Sequence, residues 1–284
     1  MRKKSLTIFL FKVLPTGLIS RVFGVIARMP LPGFLLRRVI DWYIRSYGVD
    51  RDEIDWPQRG FRSLDAFFTR TLVPGTHVVD ADPRAVVSPV DARIDMFGEI
   101  IDGVTMMQAK GVCYSLRDLV PSAMHERFID GSFITLYLSP SDYHRIHAPA
   151  GGRVRGFFNI PGRLFTVQEF MVQGLPGLFS RNERLISYLE TQRGLVAVCK
   201  IGAMNVGRIT LSYDPIATNR TFRRRREVLF GDDAVCPIAK GDELGVFHLG
   251  STVIMLFEKD MITFTDCAVG TKVRVGQRLA EFRA

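Results

Sequence analysis

The segment YLSPSDYHRIHAPAGG, residues 137–152, places His144 and His147 three apart, with Asp142 just before them. Two imidazoles at that spacing are candidate proton-transfer groups, or two of the three protein ligands of a zinc ion. The plainer reading is a turn with one solvated and one packed histidine. Either chemistry needs a carboxylate, and Asp91 in SPVDARI supplies one. Ser251, in FHLGSTVIML, completes an Asp, His, Ser arrangement in that chain order. An imidazole takes a proton from a serine hydroxyl when its other nitrogen is held, and a carboxylate stabilises the imidazolium that forms. No G-x-S-x-G elbow surrounds Ser251, which disfavours an ordinary α/β-hydrolase. Spacing alone does not say which histidine does what.

The surroundings of Ser251 set its backbone. Val253, Ile254, Met255 and Leu256 form a β-prone apolar block, and Gly250 just before it marks a bend or a close backbone approach. Ser251 is thus expected at the mouth of a buried strand entered through a tight turn.

The elements around these residues follow from patterning. A chain of 284 residues with 47% apolar and 24% charged residues has a sizeable core in one large domain or two small ones. Cys113, Cys199, Cys236 and Cys267 stand far apart without a C-x-x-C pair, which fits reduced thiols rather than a disulfide framework or a zinc knuckle. The net charge of +9 is concentrated at the start: residues 1–50 hold nine Lys or Arg against two acids. That stretch is also apolar. Its runs fall short of the 18 or more residues of a membrane span, Pro15, Pro30 and Pro32 punctuate it, and Lys12 interrupts the signal-peptide pattern begun by Arg2, Lys3 and Lys4. Ile19, Val22, Phe23 and Ile26 form one helical stripe, and Leu36, Val39, Ile40, Tyr43 and Tyr47 a second, with Arg21, Arg28, Arg37 and Arg45 off them. Such stripes commonly pack on a core. Here the arginine flanks and scarcity of acid favour an anionic membrane surface, at about 1 kcal/mol per basic residue.

Near residue 75 the character changes. Before it the chain reads as helical, with Ser63 capping a short helix that carries Phe67 and Phe68. After it, short β-rich runs alternate with turns. The expected class is α+β: an amphipathic helical region, residues 1–75, on a mainly β, barrel- or sandwich-like catalytic domain, residues 76–284. Arg220 and Arg223 to Arg226 read as a solvated loop or strand edge, and no nucleic-acid partner is expected.

SPVDARI, DYHRIHAP and ELGVFHLGSTVIMLFE, in this order and at these separations, resemble the membrane-associated bacterial phosphatidylserine decarboxylases. FFTR at 67–70, KGVCYSLRDLV at 110–120, PGRLFTV at 161–167 and RNER at 181–184 are similar to further stretches of that family, so the match runs over nearly the whole chain. The resemblance implies that Asp91 orients His147, which deprotonates Ser251 for attack on the Gly250 carbonyl. β-Elimination then separates a β chain, residues 1–250, from an α chain, residues 251–284, whose first residue becomes a pyruvoyl group. It implies that this ketone condenses with the amine of phosphatidylserine and accepts the electrons released as carbon dioxide leaves. His144, by the same resemblance, positions the carboxylate or returns a proton to the α-carbon. No metal is required.

The family further implies chains that stay associated, a homodimer, and a peripheral place on the cytoplasmic side of the inner membrane, contacted through residues 1–48. PGRLF and GLPGLF are candidates for an acyl-chain entry or for buried turns. The stretch LSYDPIATNRTFRRRREV, residues 211–228, departs from the family pattern. Three other readings stay open: a serine hydrolase without self-cleavage, a zinc hydrolase on Asp91, His144 and His147, and a biotin- or lipoyl-like carrier. The carrier rests on the C-terminal GTKVRVGQRLAEF, with Lys259 as the modifiable lysine.

Overall fold

The computed structural model describes residues 8, 11, 13–102, 105–109, 111–204, 208–219, 224–231, 236–248, 252–265 and 267–283. Gly250, Ser251, Arg220 and Arg223 lie outside the described residues.

Helix α1 (Thr16–Arg28) ends where Met29 turns extended ahead of Pro30. Helix α2 (Gly33–Tyr47) starts after Pro32 and ends in Gly48, whose φ of +68° is the left-handed cap that glycine adopts without strain. Helix α3 (Leu64–Phe68) is capped as expected, the Ser63 hydroxyl accepting from the Ala66 amide at 3.1 Å. Three more short helices lie inside the region read as strands and turns: α4 (Leu116–Leu119), α5 (Glu169–Gly174) and α6 (Leu178–Arg181).

The strands in chain order are β1 (Ala85–Val87), β2 (Ala92–Glu99), β3 (Thr105–Ala109), β4 (Val112–Ser115), β5 (Ser132–Tyr137), β6 (Arg145–His147), β7 (Gly152–Ile160) and β8 (Arg184–Thr191). They continue as β9 (Gly194–Ile201), β10 (Arg208–Leu211), β11 (Arg226–Leu229), β12 (Cys236–Ile238) and β13 (Glu243–His248). The last are β14 (Thr252–Phe257), β15 (Ile262–Phe264), β16 (Lys272–Val273) and β17 (Arg278–Phe282). Among the described residues they make one nine-stranded sheet in the order β11-β7-β8-β9-β14-β5-β2-β16, with β12 also on β7. Two three-stranded sheets, β1-β17-β15 and β10-β13-β6, and the β3-β4 pair complete the set. The class is α+β, and the sheets are open rather than closed into a barrel.

Strand β14 runs through the middle of the large sheet, antiparallel to β5 and β9, with every residue buried. Its side chains alternate between two cores. Ile254 and Leu256 join Leu36, Ile40, Phe67 and Phe68 of the helices; Val253, Met255 and Phe257 join Ile146, Phe247, Leu279 and others from the small sheets. Both faces being covered, the strand reads as an unbroken apolar run, with about 1.5–3 kcal/mol favouring burial of each large side chain.

The helical stripes divide. In α2, Leu36, Ile40 and Tyr43 turn inward while Phe34, Leu35, Trp42 and Tyr47 stay exposed. In α1 the inward residues are small: Thr16, Ser20 and Ala27 are buried, and Phe23 packs beside them. Leu18, Ile19, Val22, Val25, Ile26 and Met29 face outward. In PGRLF and GLPGLF, Leu164, Phe165, Leu175, Leu178 and Phe179 are each at most 5% exposed, as the buried reading of these stretches expects.

The C-terminal carrier-like hairpin does not form. Strand β16 pairs with β2, and β17 with β1 and β15. Lys259 sits in the turn between β14 and β15, which belong to different sheets. Arg225 and Arg226 lie over the rings of Phe158 and Phe157, Arg226 starting edge strand β11.

Candidate active site

Backbone contacts between distant segments assemble the site. The Pro89 carbonyl accepts from the His147 amide at 2.8 Å, and the Pro149 carbonyl from the Val87 amide at 2.9 Å, joining SPVDARI to HRIHAP. Strand β6 pairs with β13, and the His144 carbonyl accepts from the Phe247 amide at 2.9 Å. FFTR is tied to the same segment: the Thr69 carbonyl accepts from Arg145 Nε, and Arg70 Nη2 donates to the Ser141 carbonyl. The chain leaves the small sheet at His248 and enters the large one at Thr252.

The two histidines are set alike. His147 Nδ1 is 2.7 Å from the Gly241 carbonyl and His144 Nδ1 is 2.7 Å from the Asp142 carbonyl. A carbonyl only accepts, so both Nδ1 atoms carry the proton and both Nε2 atoms carry the lone pair. At His147 that lone pair meets the Tyr143 hydroxyl at 3.2 Å, under a ring stacked at 24°. At His144 it is buried, with no partner among the described residues. His144 is fully enclosed against Phe68, at 4.1 Å between ring centroids, and burial pushes its imidazole down to about 3. Burial also lowers His147, against which the Gly241 carbonyl and the charges of Glu243 and Asp91 act.

Gly241 aims its carbonyl at His147 from a φ of +88°, and a Cβ there would come within 2.8 Å of Val79. Glycine is required on both counts.

Asp91 bonds elsewhere than the resemblance implies. Its Oδ1 accepts from His77 Nε2 at 2.7 Å and from the Val275 amide at 2.8 Å, while His147 is held by Gly241. His77, Tyr143 and Gly241 are absent from the sequence reading. The one signal available was that His77 is among only five histidines in the chain. A second carboxylate–imidazole pair stands at the end of β13: His248 Nδ1 is 2.9 Å from Asp65 Oδ1, and its Nε2 is 3.3 Å from the Thr210 hydroxyl. Among the described residues no set of three His, Cys, Asp or Glu side chains is disposed to hold a metal ion, so the zinc arrangement of Asp91, His144 and His147 is not formed.

A family model described as phosphatidylserine decarboxylase matches residues 64–281. The chain is 39% identical over 272 residues to the phosphatidylserine decarboxylase proenzyme of Myxococcus xanthus, covering 95% of this chain and 96% of that one. It is 40% identical over 274 residues to the proenzyme of Halorhodospira halophila, covering 95% and 92%, and 38% identical over 283 residues to that of Pseudomonas fluorescens, covering 98% and 97%. The chain belongs to the phosphatidylserine decarboxylase family.

Proposed function

We propose that this family member is a zymogen that cuts itself between Gly250 and Ser251 and then decarboxylates phosphatidylserine to phosphatidylethanolamine. The observation that carries the reading is the matched pair of imidazoles. Both are tied by Nδ1 to a backbone carbonyl and offer Nε2 as a base, on the segment paired with the strand that leads into residues 249–251. The relatives' names, as proenzymes, support self-processing.

In the first stage His147 Nε2 takes the Ser251 hydroxyl proton, moving away from Tyr143, and the serine oxygen attacks the Gly250 carbonyl. The amide nitrogen leaves with a proton and an ester forms. The negative charge of Asp91 favours the imidazolium. Loss of the Ser251 α-proton and of the Gly250 carboxylate breaks the ester and leaves a dehydroalanine, which water converts to the ketone as ammonia departs. The surroundings suit the product: Thr252 is buried and paired on both sides, with Tyr137 and Ile201, which holds the new terminus and keeps the α chain in the sheet.

A pyruvoyl group supplies an electron sink for the bond that breaks as carbon dioxide leaves. His144 is the group nominated to return a proton to the α-carbon once carbon dioxide has left, a transfer for which its low pKa makes the transient imidazolium a strong acid. Its Nε2 lone pair cannot hold the substrate carboxylate, because both are acceptors.

The exposed stripe of α1, with Phe34 and Trp42 of α2 and the nearby Arg28, Arg37, Arg38 and Arg45, gives the enzyme a greasy cationic face for an anionic leaflet. That face suits the cytoplasmic side of the inner membrane. No helix of the described residues is long and apolar enough to span it.

Intact-mass analysis of purified protein tests the reading. It is expected to show residues 251–284 as a separate chain with a ketone at its start, trapped by hydroxylamine, and Ser251→Ala is expected to stay whole and inactive. A fully active preparation in one uncut chain would overturn it.

A further inference from the structure

The proposed substrate carries two oxyanions, a carboxylate and a phosphodiester, and neither neutral histidine offers a cation to bind them. One residue is built for that task. Arg70 is 4% exposed, inside a cavity of about 170 Å³ shared with Asp91, Ser141, Asp142, Tyr143 and Lys272. Its Nη2 donates to the carbonyls of Ser141 and, at 3.4 Å, Asp142. Its guanidinium lies over the Phe67 ring at 5.4 Å, which fixes the fork. Its Nε and Nη1 are buried with no partner among the described residues.

The acids in the cavity wall are each engaged elsewhere. Asp91 accepts from His77 and Val275, Asp142 from the Ser139 amide, Glu53 from Arg274, and Asp50 from the Asp52 amide. Leaving a buried charged donor unsatisfied carries a desolvation penalty, which a bound oxyanion would relieve. A guanidinium N–H donating to a carboxylate or phosphate oxygen makes a charge-assisted hydrogen bond, stronger than one between neutral groups. Gly48, at the end of α2, also lines the cavity. The positive charge of Arg70 reaches His144, which it helps keep neutral.

We propose that Arg70 binds an oxyanion of the phospholipid headgroup, an oxygen of the carboxylate or of the phosphodiester accepting from its unpartnered Nε or Nη1, with the α-carbon turned toward His144. The inference rests on the decarboxylase reading and adds the group that orients the substrate.

Arg70→Lys and Arg70→Met, tested as full chains in phosphatidylserine vesicles, are expected to cut to the wild-type extent. Each is expected to need at least tenfold more phosphatidylserine for half-maximal rate, with a smaller fall in kcat, and Lys is expected to do better than Met. Phosphatidylethanolamine, which keeps the phosphodiester and lacks the carboxylate, separates the two oxyanions. Its inhibition weakens in parallel in the variants if Arg70 takes the phosphodiester, and is unchanged if Arg70 takes the carboxylate. An unchanged KM in both variants overturns the proposal. Should Arg70→Met fail to fold, calorimetric titration of glycerophosphoserine into uncut Ser251→Ala, with and without Arg70→Lys, decides it. A tenfold loss supports the proposal; equal binding, or none in the parent, overturns it. A wild-type protein that binds glycerophosphoserine through Arg70 and fails to decarboxylate phosphatidylserine sinks the decarboxylase reading and leaves the Arg70 site standing.

Discussion

Asp91 Oδ1 and His77 Nε2 are 2.7 Å apart, and the same oxygen takes the Val275 amide at 2.8 Å. The carboxylate is therefore anchored from two sides, apart from His147. Anchoring fixes where its charge sits, which matters more for a base than the bond itself. Asp91→Asn, which keeps the shape and removes the charge, is expected to slow self-cutting by at least a hundredfold in a gel time course. His77→Gln preserves a donor to Asp91 and is expected to stay within about tenfold of wild type. Equal rates in Asp91→Asn and wild type would remove Asp91 from the mechanism.

His144 is expected to matter after the cut. His144→Ala should cut normally and lose a factor of about 10² to 10⁴ in kcat, the usual range for a proton-transfer group. Because the folded imidazole titrates near 3, an acid limb in wild-type turnover above about pH 4 belongs to another group. The sign for stability follows. Between about 6.5 and 3 the unfolded chain binds a proton at this residue that the folded chain does not, so stability falls as pH drops through that window. Urea titrations at pH 7 and pH 5 should show a smaller loss in His144→Gln than in wild type.

Lys200 makes the opposite end of the pH scale informative. It is wholly buried on β9, its ammonium donating to the Ser187 hydroxyl, which in turn meets the Tyr213 hydroxyl. Burial pushes it down to about 7. From about 7 up to the ordinary lysine range near 10.4, the unfolded chain holds a proton the folded chain lacks, so stability rises with pH across that interval and is flat just below it. Lys200→Met should be more stable at pH 7, by an amount on the order of 1–4 kcal/mol, and should lose this rise. Denaturant midpoints at pH 7 and pH 9 are the check, and a wild-type curve without slope between them would refute the assignment.

Membrane attachment should fail without loss of fold when the outward stripe of α1 is made acidic. Val22 and Ile26 are 52% and 57% exposed. The double change Val22→Asp, Ile26→Asp removes two apolar side chains, each worth about 1.5–3 kcal/mol when fully buried, and adds repulsion from an anionic leaflet. Sedimentation with phosphatidylglycerol vesicles is expected to weaken at least tenfold while the melting temperature moves little. Undiminished sedimentation would assign attachment to another surface.

Some of the architecture was readable one residue at a time, because its causes are local. Val253 to Leu256 declare a buried strand by side-chain type, and Ser63 declares a cap by its hydroxyl three residues before the Ala66 amide. The division of the α1 stripe was not readable. Periodicity shows that a helix has an apolar side, but which side meets the core depended on Thr16, Ser20 and Ala27 being small enough for close approach.

By itself the sequence determined the family, the α+β class, the helical start and the buried strand after Ser251, and it nominated His144 and His147 as candidate imidazoles. The tertiary structure alone decided what those imidazoles can do. His147 takes its tautomer from Gly241, 94 positions away, and Arg70 takes its place from a carbonyl 71 positions away, while Asp91 is claimed by His77 rather than by His147. Hydrogen bonds of that reach are set by which strands pair and in which register, and neither residue type nor local spacing encodes that pairing.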